Sequence, residues 1–508
     1  MSIDNKENVQ NSGLTIQMLT GGFVFLFCII SVIDIEFLGN MVNTSFQFST
    51  TYFGTFWQFL LLFTFIISLL IALTPAGHIK LGNLDSPEFS TFQWGCMIMC
   101  TLLAGGGVFW AAGEPLAHFL SPPPFFEKDA TQHIQAIQAL AQSFLHWGFL
   151  AWSILGSLTT LILMHLHYEK GLPLAPRTLL YPIYKERALY GIIGIVTDFC
   201  CIIAALAGTV GPIGFLGLQV GFGLEMLFEI PNTTQTQILV VVMLMCIYIL
   251  SAISGVNKGI QLLSRVNIGL GLALLLYMFL IGPTRFILNG FWEGMTLYST
   301  NLFHMAMYQN DVTWLGSWTI FFWGWFLGYG PMMAIFISRI SRGRSIREII
   351  FMLALVAPLV TNFWFTIIGG SGLGMELTEP GSISKAFEGF NLPAALLAIT
   401  QNLPFGFFIS LLFLILTTIF VATTGDSMTY VLSTATSSEE EPNRHTRIFW
   451  GLAMGFMAII LLSIDQSSLQ TLQSFIVVTA VPVSFVLLPS LWIAPKIAFQ
   501  LYKRERAK

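Results

Sequence analysis

Long apolar segments recur along nearly the whole chain, separated by short polar stretches. An α-helix needs about 20 residues to cross a bilayer. With a window of that length the pattern predicts twelve membrane-spanning helices, numbered in chain order as predicted helices 1 to 12: 17–37, 53–75, 92–112, 138–168, 189–226, 235–256, 266–290, 313–339, 350–372, 404–433, 447–465 and 471–500. We therefore expect an all-α integral membrane protein, with a polar N-terminal segment over 1–16, one membrane domain over 17–500 and a short basic tail over 501–508.

The amino-acid composition limits the classes of function that this chain could have. Of the 508 residues 55% are hydrophobic and 9% are charged, whereas soluble domains carry about 25% charged residues. No P-loop, catalytic triad or repeated channel filter motif is present,. A solute transporter in the lipid bilayer is the strong hypothesis, an enzyme and a channel are the weak ones, and we expect no nucleic-acid partner and no resident cofactor.

Basic residues predict the orientation, because cytoplasmic loops are enriched in Lys and Arg. If both termini lie in the cytoplasm, the outside loops hold only Lys128, Arg285 and Lys385, and the other nineteen of the 22 Lys and Arg residues lie inside. We therefore expect a multi-pass protein of the inner or plasma membrane with both termini cytoplasmic.

Predicted helix 8 is crowded with aromatic residues. At 100° per residue, one helix face carries Trp318, Phe322, Trp325 and Tyr329, with Phe326 and Met333 beside it. Such a face could bind a quaternary ammonium group by cation–π attraction. The competing interpretation is that these rings only fill a core. Predicted helix 4 adds Trp147 and Trp152, which a regular helix would place about 140° apart.

Two further segments suggest binding chemistry. Predicted helix 3 contains Ala104-Gly105-Gly106-Gly107, which fits either a broken helix that exposes backbone groups to a substrate or close helix packing through small residues. Predicted helix 10 contains Thr423 and Thr424, whose hydroxyls suit Na⁺ or else bond back to their own helix. Among the histidines only His146 lies beside a candidate site, and we interpret it as a packing or hydrogen-bonding residue.

Several strings resemble the betaine/choline/carnitine transporter family over nearly the full chain. They include LGNLDSPEFSTFQW at 81–94, FWAAGEPLAHF at 109–119, HWGFLAWS at 146–153, KGLPLAPRTLLYPI at 170–183, SGVNKGIQLLS at 254–264 and SRISRGRSIRE at 338–348. The resemblance implies a LeuT-like fold, in which predicted helices 3–7 and 8–12 form inverted five-helix repeats after two N-terminal helices, and a homotrimer.

The resemblance also implies a site. Residues that would hold the onium substrate by this resemblance are Trp147, Trp152, Trp325, Phe326 and Tyr329, with Met333 where sodium-independent carnitine exchangers of the family have a methionine near the substrate. The aromatic face adds Trp318, and the glycine run adds backbone groups of Gly105 and Gly106 near a substrate carboxylate. Na⁺ is the coupling ion of some family members, and the matching positions are Thr209, Thr423 and Thr424, although Ala205 replaces a family threonine. The expected function is secondary transport of a quaternary ammonium compound such as glycine betaine, carnitine or choline by alternating access. The alternatives are a sodium-independent exchanger of carnitine type and an onium-binding membrane sensor without net transport.

Overall fold

A computed structural model describes residues 3–102, 106–127, 130–254, 257–387, 391–436, 443–464 and 468–507. Within them the α-helices are, in chain order, α1 (Ile3–Ile33), α2 (Ile35–Leu73), α3 (Thr91–Leu102), α4 (Val108–Leu120), α5 (Gln132–Trp147), α6 (Phe149–Ile154), α7 (Ser157–Met164), α8 (Tyr181–Tyr184), α9 (Glu186–Tyr190), α10 (Ile192–Phe228), α11 (Thr234–Ser254), α12 (Asn257–Ile281), α13 (Thr284–Ala306), α14 (Val312–Leu315), α15 (Phe321–Ile340), α16 (Ile346–Phe351), α17 (Ala357–Thr378), α18 (Ala395–Gln401), α19 (Gly406–Thr436), α20 (Arg444–Ser463), α21 (Ser468–Leu487) and α22 (Ser490–Arg506).

The helical architecture agrees with the predicted class of fold. Among the described residues, ten helices or near-continuous helical segments are long and apolar enough to cross a membrane, and eleven if one bent pair counts as a single span. The segment of predicted helix 3 is not among them, because residues 103–105 between α3 and α4 lie outside the described residues. The count of twelve spans stays a prediction.

The prediction of one helix over 266–290 is wrong, because α12 ends at Ile281 and the chain bends by 102° before α13. Pro283 has no N–H to donate to the carbonyl of Phe279, four residues earlier. The Thr284 hydroxyl donates to that carbonyl instead, at 2.6 Å. A proline therefore ends the helix, and α13 then packs along α5 and α17.

Loops that the charge pattern assigns to the cytoplasm meet on one face of the protein. Asn83, after α2, donates to the carbonyl of Tyr168 at 2.6 Å. Arg342, after α15, lies over the Tyr168 ring at 4.9 Å, and Arg504, near the C-terminus, lies 3.4 Å from Glu169. These contacts place four predicted inside segments side by side, as alternating spans require.

Arg344 connects several segments on this face through hydrogen bonds. Its buried guanidinium donates to the Thr91 hydroxyl at 3.1 Å, to Glu348 at 3.0 Å and to the Phe89 carbonyl at 2.8 Å. It also lies over the Trp94 ring at 4.6 Å. One side chain therefore joins the start of α3 to the start of α16.

Replacing Arg344 by Ala should lower the thermal stability of the protein in detergent. The substitution removes three hydrogen bonds of a buried guanidinium, each worth about 1–3 kcal/mol where a charged group takes part, while its ion-pair partner Glu348 is 44% exposed. Arg504→Ala is the control, since that side chain is 70% exposed and surface ion pairs contribute about 1 kcal/mol or less. Equal unfolding temperatures for the two variants would contradict a structural role for Arg344.

Candidate functional site

Three of the four residues of the aromatic stripe of predicted helix 8, Phe322, Trp325 and Tyr329, lie on α15, which faces the interior of the helix bundle. All four of its predicted site residues are buried: Trp325, Phe326, Tyr329 and Met333. The helix stays regular through Pro331, so the predicted spacing of the stripe is preserved. Trp318 lies one turn earlier, in the π-helical turn Gly316–Ile320.

Trp147 joins this stripe from the end of α5. Its ring centroid lies 6.0 Å from that of Trp325, and 5.4 Å from those of Phe326 and Phe322. The Phe365 ring of α17 lies 5.1 Å away. These distances are direct ring contacts, so the five rings form one continuous cluster, called here the aromatic cluster.

Two glycines leave room for the rings of Trp325 and Tyr329. A Cβ on Gly106 would lie 2.5 Å from the Trp325 ring, and one on Gly208 would lie 2.4 Å from the Tyr329 ring. The Trp325 indole N–H donates to the Gly208 carbonyl at 3.1 Å. Gly106 therefore borders the site, and its lack of a side chain leaves room for the Trp325 ring. Gly105 lies outside the described residues.

The predicted ion residue Thr209 contacts the aromatic side of the site. Its hydroxyl donates to the carbonyl of Ala205 at 2.9 Å. The Tyr329 hydroxyl lies 2.7 Å away and therefore donates to the Thr209 oxygen, whose own proton is already used. Thr209 fixes the phenol end of Tyr329 and still has acceptor capacity.

A helix break at Gly148 separates the two tryptophans of predicted helix 4. A Cβ on Gly148 would lie 2.1 Å from the carbonyl oxygen of Phe144, so only glycine fits this backbone. The amide of Phe149, freed by the break, donates to the Tyr298 hydroxyl at 3.0 Å. Trp152 is buried beyond the break, and its ring contacts none of the described rings of the aromatic cluster. Of the pair, the structure brings only Trp147 to the cluster.

Trp318 lies at the edge of the site. Its ring is perpendicular to that of Trp110, with centroids 6.2 Å apart, and its centroid is 4.5 Å from the His118 ring. It therefore borders a second, polar group of side chains rather than Trp325.

Thr423 and Thr424 lie on α19 and both donate to the Phe420 carbonyl, each at 2.9 Å. This is the back-bonded geometry that competes with ion binding. Each hydroxyl oxygen keeps lone pairs that a Na⁺ ion could use. Neither residue hydrogen-bonds to Thr209, so the structure does not join the three predicted ion residues by direct contact.

A buried polar cluster centred on Glu114 of α4 adjoins the aromatic cluster. Glu114 Oε1 lies 2.5 Å from His146 Nδ1, and Glu114 Oε2 accepts from the Trp147 indole N–H at 2.8 Å. His146 Nε2 lies 2.9 Å from the Thr319 hydroxyl and 3.0 Å from the Gln142 amide nitrogen. The hydrogen-bonding role predicted for His146 is confirmed.

His118, one turn after Glu114, completes this polar cluster. Its Nε2 lies 3.4 Å from Glu114 Oε1, and the three groups offer ligand atoms within 4.8 Å of one another. Ligands of one tetrahedral zinc, each about 2.0–2.1 Å from it, would lie well beyond the 2.5 Å that separates His146 and Glu114. The geometry is that of a hydrogen-bonded network.

The roles of Glu114 and His118 were not predicted from the sequence. The available signal was a carboxylate inside the apolar string FWAAGEPLAHF, since an ionisable residue at membrane depth marks function by default.

Comparisons with known proteins give matches over nearly the whole chain. The family described as "BCCT, betaine/carnitine/choline family transporter" matches residues 15–503. "Glycine betaine transporter 2" of Vibrio parahaemolyticus serotype O3:K6 is 56% identical over 487 residues, covering 96% of this chain and 90% of that protein. "Glycine betaine transporter OpuD" of Bacillus subtilis is 33% identical (90% and 89% covered), and "Ectoine/hydroxyectoine transporter" of Virgibacillus pantothenticus is 32% identical (92% of each).

A match of this extent identifies the chain as a transporter rather than an enzyme. The three relatives are transporters by name, and the match covers 89–92% of each of them. The chain belongs to the betaine/carnitine/choline family of transporters.

Proposed function

We propose that this protein is a secondary transporter that moves glycine betaine, or a closely related onium compound, across the membrane by alternating access. The observation that supports it most is the buried aromatic cluster around Trp147 and Trp325, in a chain 56% identical to a glycine betaine transporter. Carnitine and choline are substrates of the same chemical class.

The onium group would bind against the aromatic cluster. A cation within about 6 Å of a Trp or Tyr ring centroid gains about 0.5–2 kcal/mol, most where water is excluded. Trp147, Trp325 and Tyr329 are buried, which favours the upper part of that range. Met333, one turn beyond Tyr329, would shape the far end of the pocket.

Substrate entry would require the rings to separate, because Trp147 and Trp325 are in contact. Trp147 sits at the last position of α5, next to the break at Gly148, so its ring could move without bending a continuous helix. The substrate carboxylate would lie near Gly106, where the lack of a side chain leaves the backbone accessible and where family folds of this kind bind substrate beside broken helices.

Coupling to Na⁺ is supported by hydroxyl positions rather than by a formed ion cage. Thr423 and Thr424 would contribute oxygen ligands while still donating to Phe420. Thr209 would join them only through the lone pairs of its hydroxyl oxygen. Ala205 has no side-chain oxygen and so adds no ligand. A sodium-independent exchanger is the second candidate, and Met333 favours it through the family resemblance.

We also propose LeuT-like inverted repeats, both termini in the cytoplasm and a homotrimer. The meeting of the predicted inside loops on one face supports the topology. The trimer rests on the family resemblance.

Uptake of radiolabelled glycine betaine, carnitine and choline into proteoliposomes tests the function. We expect saturable betaine uptake that a Na⁺ gradient stimulates. Uptake only against preloaded substrate, indifferent to Na⁺, would identify an exchanger. Binding without uptake or counterflow would identify a sensor and contradict transport.

Trp325→Ala should weaken glycine betaine binding by on the order of tenfold, because a cation–π contact and its burial are lost. Trp325→Phe should fall between Ala and the parent protein, since Phe is the weaker partner. Trp292→Ala is the control, because Trp292 lies on α13 and is 74% exposed. Calorimetric affinities measure the effect, and an unchanged affinity in Trp325→Ala would remove that ring from the site.

Thr424→Ala should abolish the stimulation of uptake by Na⁺. Its control is Thr418→Ala, since Thr418 lies on the same helix and donates to its own helix carbonyl in the same way. The Na⁺ concentration for half-maximal uptake is the quantity to compare. If Thr424→Ala keeps the sodium dependence of the parent protein, Thr424 is not an ion ligand.

A further inference from the structure

An ionised Glu114 would give the polar cluster a negative charge that no described cation balances. Glu114 accepts hydrogen bonds from His146 and from Trp147, and no described lysine or arginine forms an ion pair with it. The Gln142 amide and the Thr319 hydroxyl both point at His146 Nε2. Nε2 therefore accepts, and the ring proton lies on Nδ1 between His146 and Glu114. With Glu114 ionised and both histidines neutral, the group would have a net charge of −1 at membrane depth, where a charge is costly.

His118 is placed to take up a compensating proton. It is 99% buried, its Nε2 has no hydrogen-bond partner in the described structure, and this nitrogen lies 3.4 Å from Glu114 Oε1. One added proton, shared among the three groups as in other coupled sites, neutralises the cluster and gives Nε2 a hydrogen to donate. The observed geometry already leaves room for that bond.

Trp147 links this cluster to the aromatic cluster. Its indole N–H donates to Glu114 Oε2, while its ring packs on Trp325 and Phe326. A carboxylate at the N–H edge makes the ring face more negative and also attracts a cation through space. Both effects disappear when the carboxylate is neutralised.

We propose that Glu114, His118 and His146 form a proton-binding site that opposes onium binding through Trp147. This inference rests on the proposed function, because it assigns a coupling device to the same site. Loss of the proton strengthens onium binding, and onium binding releases the proton, since linkage between two sites is reciprocal. A rise in pH therefore increases the affinity for the onium compound.

Other ionisable groups on the surrounding helices are engaged elsewhere. On α17, Glu376 accepts from three backbone amides of the following loop. Asp311 caps α14, and Glu293 of α13 pairs with His133 at the surface. These groups do not compete for the proton.

Three further ionisable groups on α10, α13 and α15 also have partners of their own. Tyr298 of α13 accepts from a backbone amide, Tyr329 of α15 pairs with Thr209, and Asp198 of α10 is neutralised by Arg177 at 2.6 Å. Among the described residues, only the imidazoles of His118 and His146 titrate next to Glu114.

Glycine betaine binding to the purified full chain, at constant Na⁺, tests the inference. We expect affinity to rise about fivefold or more between about pH 6 and pH 8, with proton release seen in calorimetry as a dependence on buffer ionisation heat. Glu114→Gln keeps an acceptor for Trp147 and should abolish both effects. His118→Gln should reduce them, and provides a second variant if Glu114→Gln does not fold. His133→Gln, an exposed histidine on α5, is the matched control and should keep them.

A pH-independent affinity in the parent protein would overturn the inference, as would pH dependence retained in Glu114→Gln and His118→Gln. Loss of the pH effect on adding a metal chelator would assign the groups to a metal instead. Infrared titration without ligand separates this inference from the proposed function. A carboxyl band that titrates in the parent and is absent from Glu114→Gln supports the proton site even if betaine does not bind, and absence of that band in the parent overturns it.

Discussion

Polar groups buried at membrane depth must find partners inside the protein, because hydrocarbon offers none. Near the site, backbone groups outside the regular α-helical pattern meet this constraint through side chains. The Phe149 amide freed at Gly148 meets the Tyr298 hydroxyl. Trp364 donates its indole N–H to the carbonyl of Gly107 at 3.2 Å. Irregular backbone is tolerated here because specific side-chain donors and acceptors lie within hydrogen-bond distance of it.

These interruptions determine where the aromatic rings point. A continuous helix would have carried Trp147 and Trp152 about 140° apart with their directions linked. The break frees Trp147 to join Trp325 and leaves Trp152 packed elsewhere. Glycine acts in a second way at Gly208, where the absent side chain makes room for the Tyr329 ring. The packing of these aromatic rings therefore depends on glycines, which have no side chain, as much as on the rings themselves.

The sequence predicts most of the apolar architecture, because the bilayer imposes a length that a simple window detects. It does not predict where a helix turns within the apolar run, as the bend before α13 shows. Hydropathy treats Pro283 as one more weakly polar residue, whereas the bend follows from its missing N–H. Local hydrogen bonding, which a window average removes, decides such positions.

The stripe on α15 was predictable because that helix stays regular through the site. The position of Thr209 was not, since its match to an ion position says nothing about Tyr329, which lies 120 residues further along the chain and donates to it. Glu114 could have been suspected from a lone carboxylate in an apolar string. Its partners could not, because His146 and Trp147 reach it from another segment, at the end of α5.

Trp147 is the one side chain shared by the aromatic and polar clusters. Tryptophan suits this position because it combines a large apolar ring with a single N–H that needs a partner when buried. Phenylalanine could fill the ring position but would leave a Glu114 oxygen without its donor. A change of charge on Glu114 would therefore alter the electrostatic potential at the Trp147 ring, because the indole N–H joins that ring directly to the carboxylate.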